Sequence, residues 1–330
     1  MKIRLLGSLV MVFALIAQYG SAARQTPGIA VDRTVEVEGR PGGVDFAMRI
    51  QSGHLTGEAN EYVYGYGRTI SQLIWETDSL YMAGVGATLK LGRWVSLQGD
   101  VWSKITDGEG TMNDYDWLYS TGAWSHWSQH DDTDVTKGTI VDLSGAVFPL
   151  QMLEKYHLSL SGLLGFRMEN YEWEARGGTY VYSSNGGFRD LSGDFTEGEL
   201  GITYEQLFYY PYLGLDVAFL LGRFEGGMRL IGSPAVFGEA KAQHHLRDLE
   251  THADLEWGRM YAVSLSVAYH FCDYVGLSTS LSYTEYDTIT ANSTYTWTNS
   301  DGSKTTRTYD DGEGASLQTA MASLAVTIGF

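Results

Sequence analysis

Only one cysteine, Cys272, occurs in the 330 residues, so no disulfide can form within the chain. Proline is nearly as scarce, with 5 against 40 glycines, which leaves long stretches free of the residue that interrupts a sheet ladder. Basic residues are few: 22 Lys and Arg face 40 Asp and Glu, and the net charge of −18 argues against a nucleic-acid partner and suits cationic peptides, Ca²⁺ or plain solvation of polar loops. After residue 17 no apolar run approaches the roughly 20 residues of a membrane helix. The chain has no Gly-x-Ser-x-Gly elbow, no His-Glu-x-x-His pair, no Walker loop and no EF-hand loop. No cofactor and no resident metal are therefore expected. His126, His130 and Asp131-Asp132 could suggest a metal site, but they fall in a stretch that reads as a polar loop.

The chain does have an export signal and a strong period of two. Lys2 and Arg4 precede an apolar run over 5–17, and Gly20-Ser21-Ala22 supplies small residues for cleavage. Residues 1–22 thus read as a signal peptide, and 23–330 as one domain. At 261–271, Tyr261, Val263, Leu265, Val267, Tyr269 and Phe271 face one way, and Ala262, Ser264, Ser266, Ala268 and His270 the other. Small polar residues opposite an apolar face suit a narrow barrel with lipid outside. The same alternation marks 81–91, 95–101, 141–147 and 158–168.

About ten strands follow, at 44–65, 72–91, 95–116, 138–149, 156–176, 201–220, 223–244, 258–272, 274–297 and 316–330. Tight turns alternate with long polar connections at 117–137, 177–200, 245–257 and 298–315. This predicts an all-β chain, a ten-stranded antiparallel transmembrane β-barrel of the bacterial outer membrane with long extracellular loops. Trp94, Trp102, Tyr156, Tyr209, Tyr210, Tyr212 and Tyr274 are the expected interfacial girdle. The last strand ends on Phe330, as a barrel closing strand does. A lumen this narrow is filled by side chains, which argues against a porin.

One stretch carries chemistry. In Asn113-Asp114-Tyr115-Asp116-Trp117 the two carboxylates are i and i+2 at a strand top. They share a face there and can compete for a proton or hold a water. This stretch, with Ser71-Gln72-Leu73-Ile74-Trp75, the run from Ala175-Arg176-Gly177-Gly178 to Ser184, and Gly187-Phe188-Arg189-Asp190, resembles the omptin family of outer-membrane endopeptidases.

The resemblance implies a vase-shaped monomeric barrel with a groove facing the cell exterior. It implies a peptide or protein substrate and a water held between an Asp pair, here Asp114 and Asp116, and a histidine, here His244. The family's Asp two residues before that histidine is Ala242. One acid of the pocket for a basic substrate side chain matches Glu61, and the other falls on Ala240. Three of four catalytic positions are thus retained, and impaired catalysis and weakened preference for Arg or Lys are expected. The lipopolysaccharide contacts fall on Asn170 and Leu207, which are not phosphate ligands, so lipopolysaccharide dependence is in doubt. Arg176 reads as structural. The competing expectation is a non-catalytic barrel serving as an adhesin or recognition protein.

Overall fold

A computed structural model describes residues 44–330 apart from 93, 120–121, 154–157 and 185; the expected signal peptide lies outside the described residues. Thirteen strands form a single antiparallel sheet: β1 (Val44–Gly65), β2 (Arg68–Leu91), β3 (Val95–Lys104), β4 (Gly108–Asp116), β5 (His126–Leu153), β6 (Leu158–Arg176), β7 (Thr179–Tyr182), β8 (Leu191–Asp194), β9 (Leu200–Leu221), β10 (Phe224–His244), β11 (Leu249–Cys272), β12 (Val275–Thr298) and β13 (Lys304–Gly329). β3 and β4 pair with the lower and upper parts of both β2 and β5, so they act as one strand interrupted at 105–107. β1 pairs with both β2 and β13, which closes a ring of ten. β7 and β8 form a small hairpin on the upper part of β5.

The lower half of the ring has the predicted polarity. Val44, Met48 and Ile50 of β1, Val85 of β2, Leu164 of β6, Leu213 and Leu215 of β9 and Leu324 and Val326 of β13 are exposed on the outer face. Such a belt is stable only against hydrocarbon, and a closed ring leaves no edge to satisfy there. No helix among the described residues is long and apolar enough to cross a membrane. Trp94, Tyr209 and Tyr274 are exposed as girdle residues should be. Trp102, Tyr210 and Tyr212 are not: they lie inside the ring and fill the lumen, each at most 6% exposed.

The connections are shorter than the polar composition suggested. β5 starts at His126, β11 at Leu249 and β13 at Lys304, inside three of the expected loops. The fourth, 177–200, contains the β7–β8 hairpin. The strands run on above the belt, where the outer face meets water rather than lipid and an apolar outer row no longer marks them.

Candidate active site

Cross-strand register sets two inward-facing rows one above the other on the upper wall. The lower row runs Ala315, Glu61, Leu73, Asp114, Ser128 across β13, β1, β2, β4 and β5. The upper row runs Glu313, Val63, Ser71, Asp116, His126 on the same five strands. Asp114 and Asp116 therefore share a face as expected, and Glu61 lies in the row of Asp114. The Ser71 hydroxyl donates to Asp114 Oδ1 at 3.2 Å. Below the rows an aromatic floor closes the lumen: Trp75 stacks on Tyr204 with centroids 5.4 Å apart, and Trp173 stacks on Tyr204 at 6.1 Å.

The facing wall is β10 with its neighbours. Ala242 lies between Tyr204 of β9 and Thr251 of β11, and Ala240 between Gln206 and Ala253. His244 ends β10, and the chain turns through His245–Arg247 into Asp248, whose φ is 47°. Arg247 links the walls electrostatically. Its guanidinium lowers the pKa of Asp114 and Asp116 on one side and of His244 on the other. The three sequence-predicted catalytic residues thus lie within the field of one cation.

Burial dominates the electrostatics. Desolvation and then the Asp116 charge push Asp114 up to about 8, against the pull of Arg247 and Ser71. Desolvation also raises Asp116, opposed by Ser71, Arg247 and His126. The pair therefore retains a proton near neutral pH. His244 goes the other way: desolvation, then Arg247 and His245, bring it down to about 4. Among the described residues no carboxylate hydrogen-bonds its ring. Glu250 is exposed and pairs with Gln243, and His245 binds the Thr203 hydroxyl at 2.9 Å.

Two residues near the pair were not assigned to it from sequence. His126, expected in a loop, is a strand residue directly opposite Asp116, with its Nδ1 3.0 Å from the Ser125 hydroxyl. Glu313 is 2% exposed and sits one row from Glu61, which is equally buried. The parity of β4 could have pointed to His126 once β5 was known to begin there. Nothing local marks Glu313.

The remaining singled-out blocks hold the rim. Gly177 and Gly178 take φ of 52° and 101°, and a Cβ on Gly178 would lie 2.2 Å from the Gln129 carbonyl oxygen, so only glycine fits that turn. Arg176 pairs with Glu174. Arg189 stacks 3.3 Å over the Trp124 ring and donates to the Trp124 carbonyl at 2.8 and 3.0 Å. Asp190 accepts from the Ser184 amide and hydroxyl.

The profile of the omptin family matches residues 43–330. The chain belongs to the omptin family. Outer membrane protease OmpP of Escherichia coli (strain K12) is 30% identical over 229 residues, covering 68% of this chain and 72% of OmpP. Plasminogen activator of Yersinia pestis is 28% identical over 228 residues, covering 68% and 71%. The crystal structure of outer membrane protease OmpT from Escherichia coli superposes with a TM-score of 0.81 at 24% identity, over 87% of this chain and 97% of that one. This omptin is accordingly an outer-membrane barrel, as its lipid-facing belt requires.

Proposed function

We propose that this omptin is an outer-membrane endopeptidase that hydrolyses peptide bonds beside a basic residue, with its groove facing the cell exterior. Asp114, Asp116 and His244 carry the chemistry, and Glu61 receives the basic side chain. The observation that carries this reading is the unpaired acidity of the upper wall. Among the described residues, Glu61, Asp114, Asp116 and Glu313 are in no ion pair, although three of them are under a tenth exposed. Buried acids with no cation in ion-pair contact are costly, since Arg247 acts on Asp114 and Asp116 only from a distance, and a cationic peptide entering the groove supplies the missing partner.

In this mechanism the half-protonated Asp pair and the neutral His244 ring hold a water between the walls. The imidazole lone pair accepts a proton from that water, which the Asp pair orients, as its oxygen bonds to the carbonyl carbon; the imidazolium then returns the proton to the amide nitrogen as the C–N bond breaks, leaving a carboxylic acid and an amine. Turnover is slow, because the imidazolium so formed has Ala242 where a carboxylate would stabilise it. In Ser-His-Asp enzymes losing the equivalent acid costs about 10⁴ in kcat, roughly 5 to 6 kcal/mol.

Refolded protein is incubated with peptides carrying Arg or Arg-Arg, beside Asp114→Asn and His244→Ala. Slow cleavage next to Arg by the native chain, absent in both variants, is expected. Cleavage that survives both variants would place the chemistry elsewhere.

A second reading is supported by the alanines at 240 and 242: a barrel that binds basic peptides in the same groove without cutting them. It predicts binding with no cleavage under any condition.

A further inference from the structure

Glu313 lies on β13, opposite Val63 of β1 and Ala291 of β12. Glu61 lies opposite Ala315, two residues along β13 with no bulge between, so the two glutamates point inward as diagonal neighbours within reach of each other. Each has a buried oxygen with no hydrogen-bond partner, Glu61 Oε2 and Glu313 Oε1. The hydroxyls of Thr251 and Tyr295 face Glu313, yet their oxygens also lack a well-formed bond. Native interiors rarely leave such a group unmet.

The position of this cluster is as telling as its composition. Thr251 is the direct β11 partner of Ala242, and Tyr295 the β12 partner of Thr251. Glu313 therefore reaches toward the wall from which the acids expected at 240 and 242 are missing. The inner positions around it are small: Ala240, Ala253, Ala291, Ser293 and Ala315. A stem of three or four methylenes can lie along such residues while its charged head meets two carboxylates. The lower lumen contrasts with this, since its acids already have arginines within ion-pair distance.

We infer that Glu313 is the second acid of the specificity pocket, paired with Glu61 and replacing across the lumen the carboxylate absent at Ala240, so that this omptin binds an Arg or Lys side chain between two glutamates. The inference rests on the groove proposed above to receive a basic residue. It does not require that the enzyme turn over quickly.

The test separates the two claims. A labelled peptide with a central Arg, its following peptide bond replaced by a hydroxyethylene isostere, is titrated against refolded protein in detergent micelles. The same peptide with citrulline, the neutral isostere of Arg, is titrated alongside. The native chain is expected to prefer Arg by about tenfold or more, Glu313→Gln to reduce the preference to within about threefold, and Glu313→Gln with Ala240→Asp to restore most of it. Glu313→Ala, which matches the small neighbours, replaces the Gln variant if that one fails to refold. A strong Arg preference unchanged by either substitution overturns the assignment of Glu313 while leaving the basic-residue groove intact. No preference in the native chain overturns the pocket itself. Cleavage of the matching unmodified peptide by the same samples reports on the endopeptidase reading independently.

Discussion

The lower lumen and the upper collar treat buried acid in opposite ways. In the lower part Asp100 takes Arg49 at 3.0 Å, Asp216 takes Arg229 at 2.9 Å, and Arg167 lies 3.5 Å from Asp142 and 2.7 Å from Glu169. Gln51 and Gln98 add bonds of 2.7 and 2.8 Å to Asp100, and Tyr212 donates to Asp142 at 2.7 Å. In the collar Glu61, Asp114, Asp116 and Glu313 have no ion-pair partner among the described residues. Where each of these acids has an arginine of the chain within ion-pair distance, the network fills space and fixes register. Where they have none, the acids remain available to the basic side chain proposed above.

Restoring the missing acid sharpens this contrast most. Ala242→Asp puts a carboxylate beside His244, two residues along the same strand face. It is expected to raise kcat/KM for an Arg peptide by about 10² to 10⁴. It also raises the His244 pKa from about 4, so the acid limb of the pH–rate profile moves upward. Unchanged kcat/KM with an unmoved acid limb would show that His244 is not the base.

Removing one charge should have opposite effects on stability in the two regions. Asp114 has a folded pKa of about 8, far above its ordinary 3.8. The folded chain holds a proton there that the unfolded chain has released, so this group's contribution to stability is fully present below about pH 4 and is lost as the pH rises toward 8. Asp114→Asn removes that loss, and its urea midpoint should exceed the native one increasingly between pH 5 and pH 8.5 while cleavage disappears. In the lower lumen, Arg167→Met leaves Glu169, which is 0% exposed, without its cation and should cost about 3 to 5 kcal/mol. If Asp114→Asn destabilised the barrel at pH 8.5 as Arg167→Met does, the two regions would not differ in kind.

How much of this could be read from the sequence divides along the same boundary. Lipid fixes one face of each lower strand, so Tyr81 to Leu91 or Tyr261 to Phe271 announce both strand and orientation. Above the belt that constraint ends. His126 to Asp134 and Lys304 to Asp311 are polar on both faces, which predicts loops where the chain forms strands. Leu249 to Trp257 is also a strand, and there Leu249, Thr251, Ala253 and Leu255 do alternate inward against Glu250, His252, Asp254 and Glu256, but an outer face of charged residues does not look like a barrel wall. Trp102, Tyr210 and Tyr212 were misplaced because an aromatic near a strand end fits either a girdle or a plugged lumen, and only parity within the closed ring decides. Asp114 and Asp116 were legible because the pair is local. Glu313 was not, because it meets Glu61 only through the register of the first strand with the last.

The smallest effect is expected at the outer wall, where the family resemblance raised the question of lipopolysaccharide. Asn170 donates to Glu205 Oε1 at 3.0 Å and so faces an acid rather than a phosphate. Lys137 already binds Glu172 at 3.1 Å and Glu205 at 2.6 Å, and Lys241 binds Glu239. This patch offers a phosphate two lysines, both held by carboxylates, among three glutamates that repel it. Pairs this exposed contribute about 0 to 1 kcal/mol, so Lys137→Ala should change the unfolding free energy from urea titration by no more than that. Rough lipopolysaccharide added to the refolded protein should change cleavage by less than about twofold, since the described residues of this patch form no bidentate phosphate site for it to complete. Stimulation of tenfold or more, lost in Lys137→Ala, would mean that the glutamates release their lysine to the lipid and that this wall, like the collar, answers to an outside ligand.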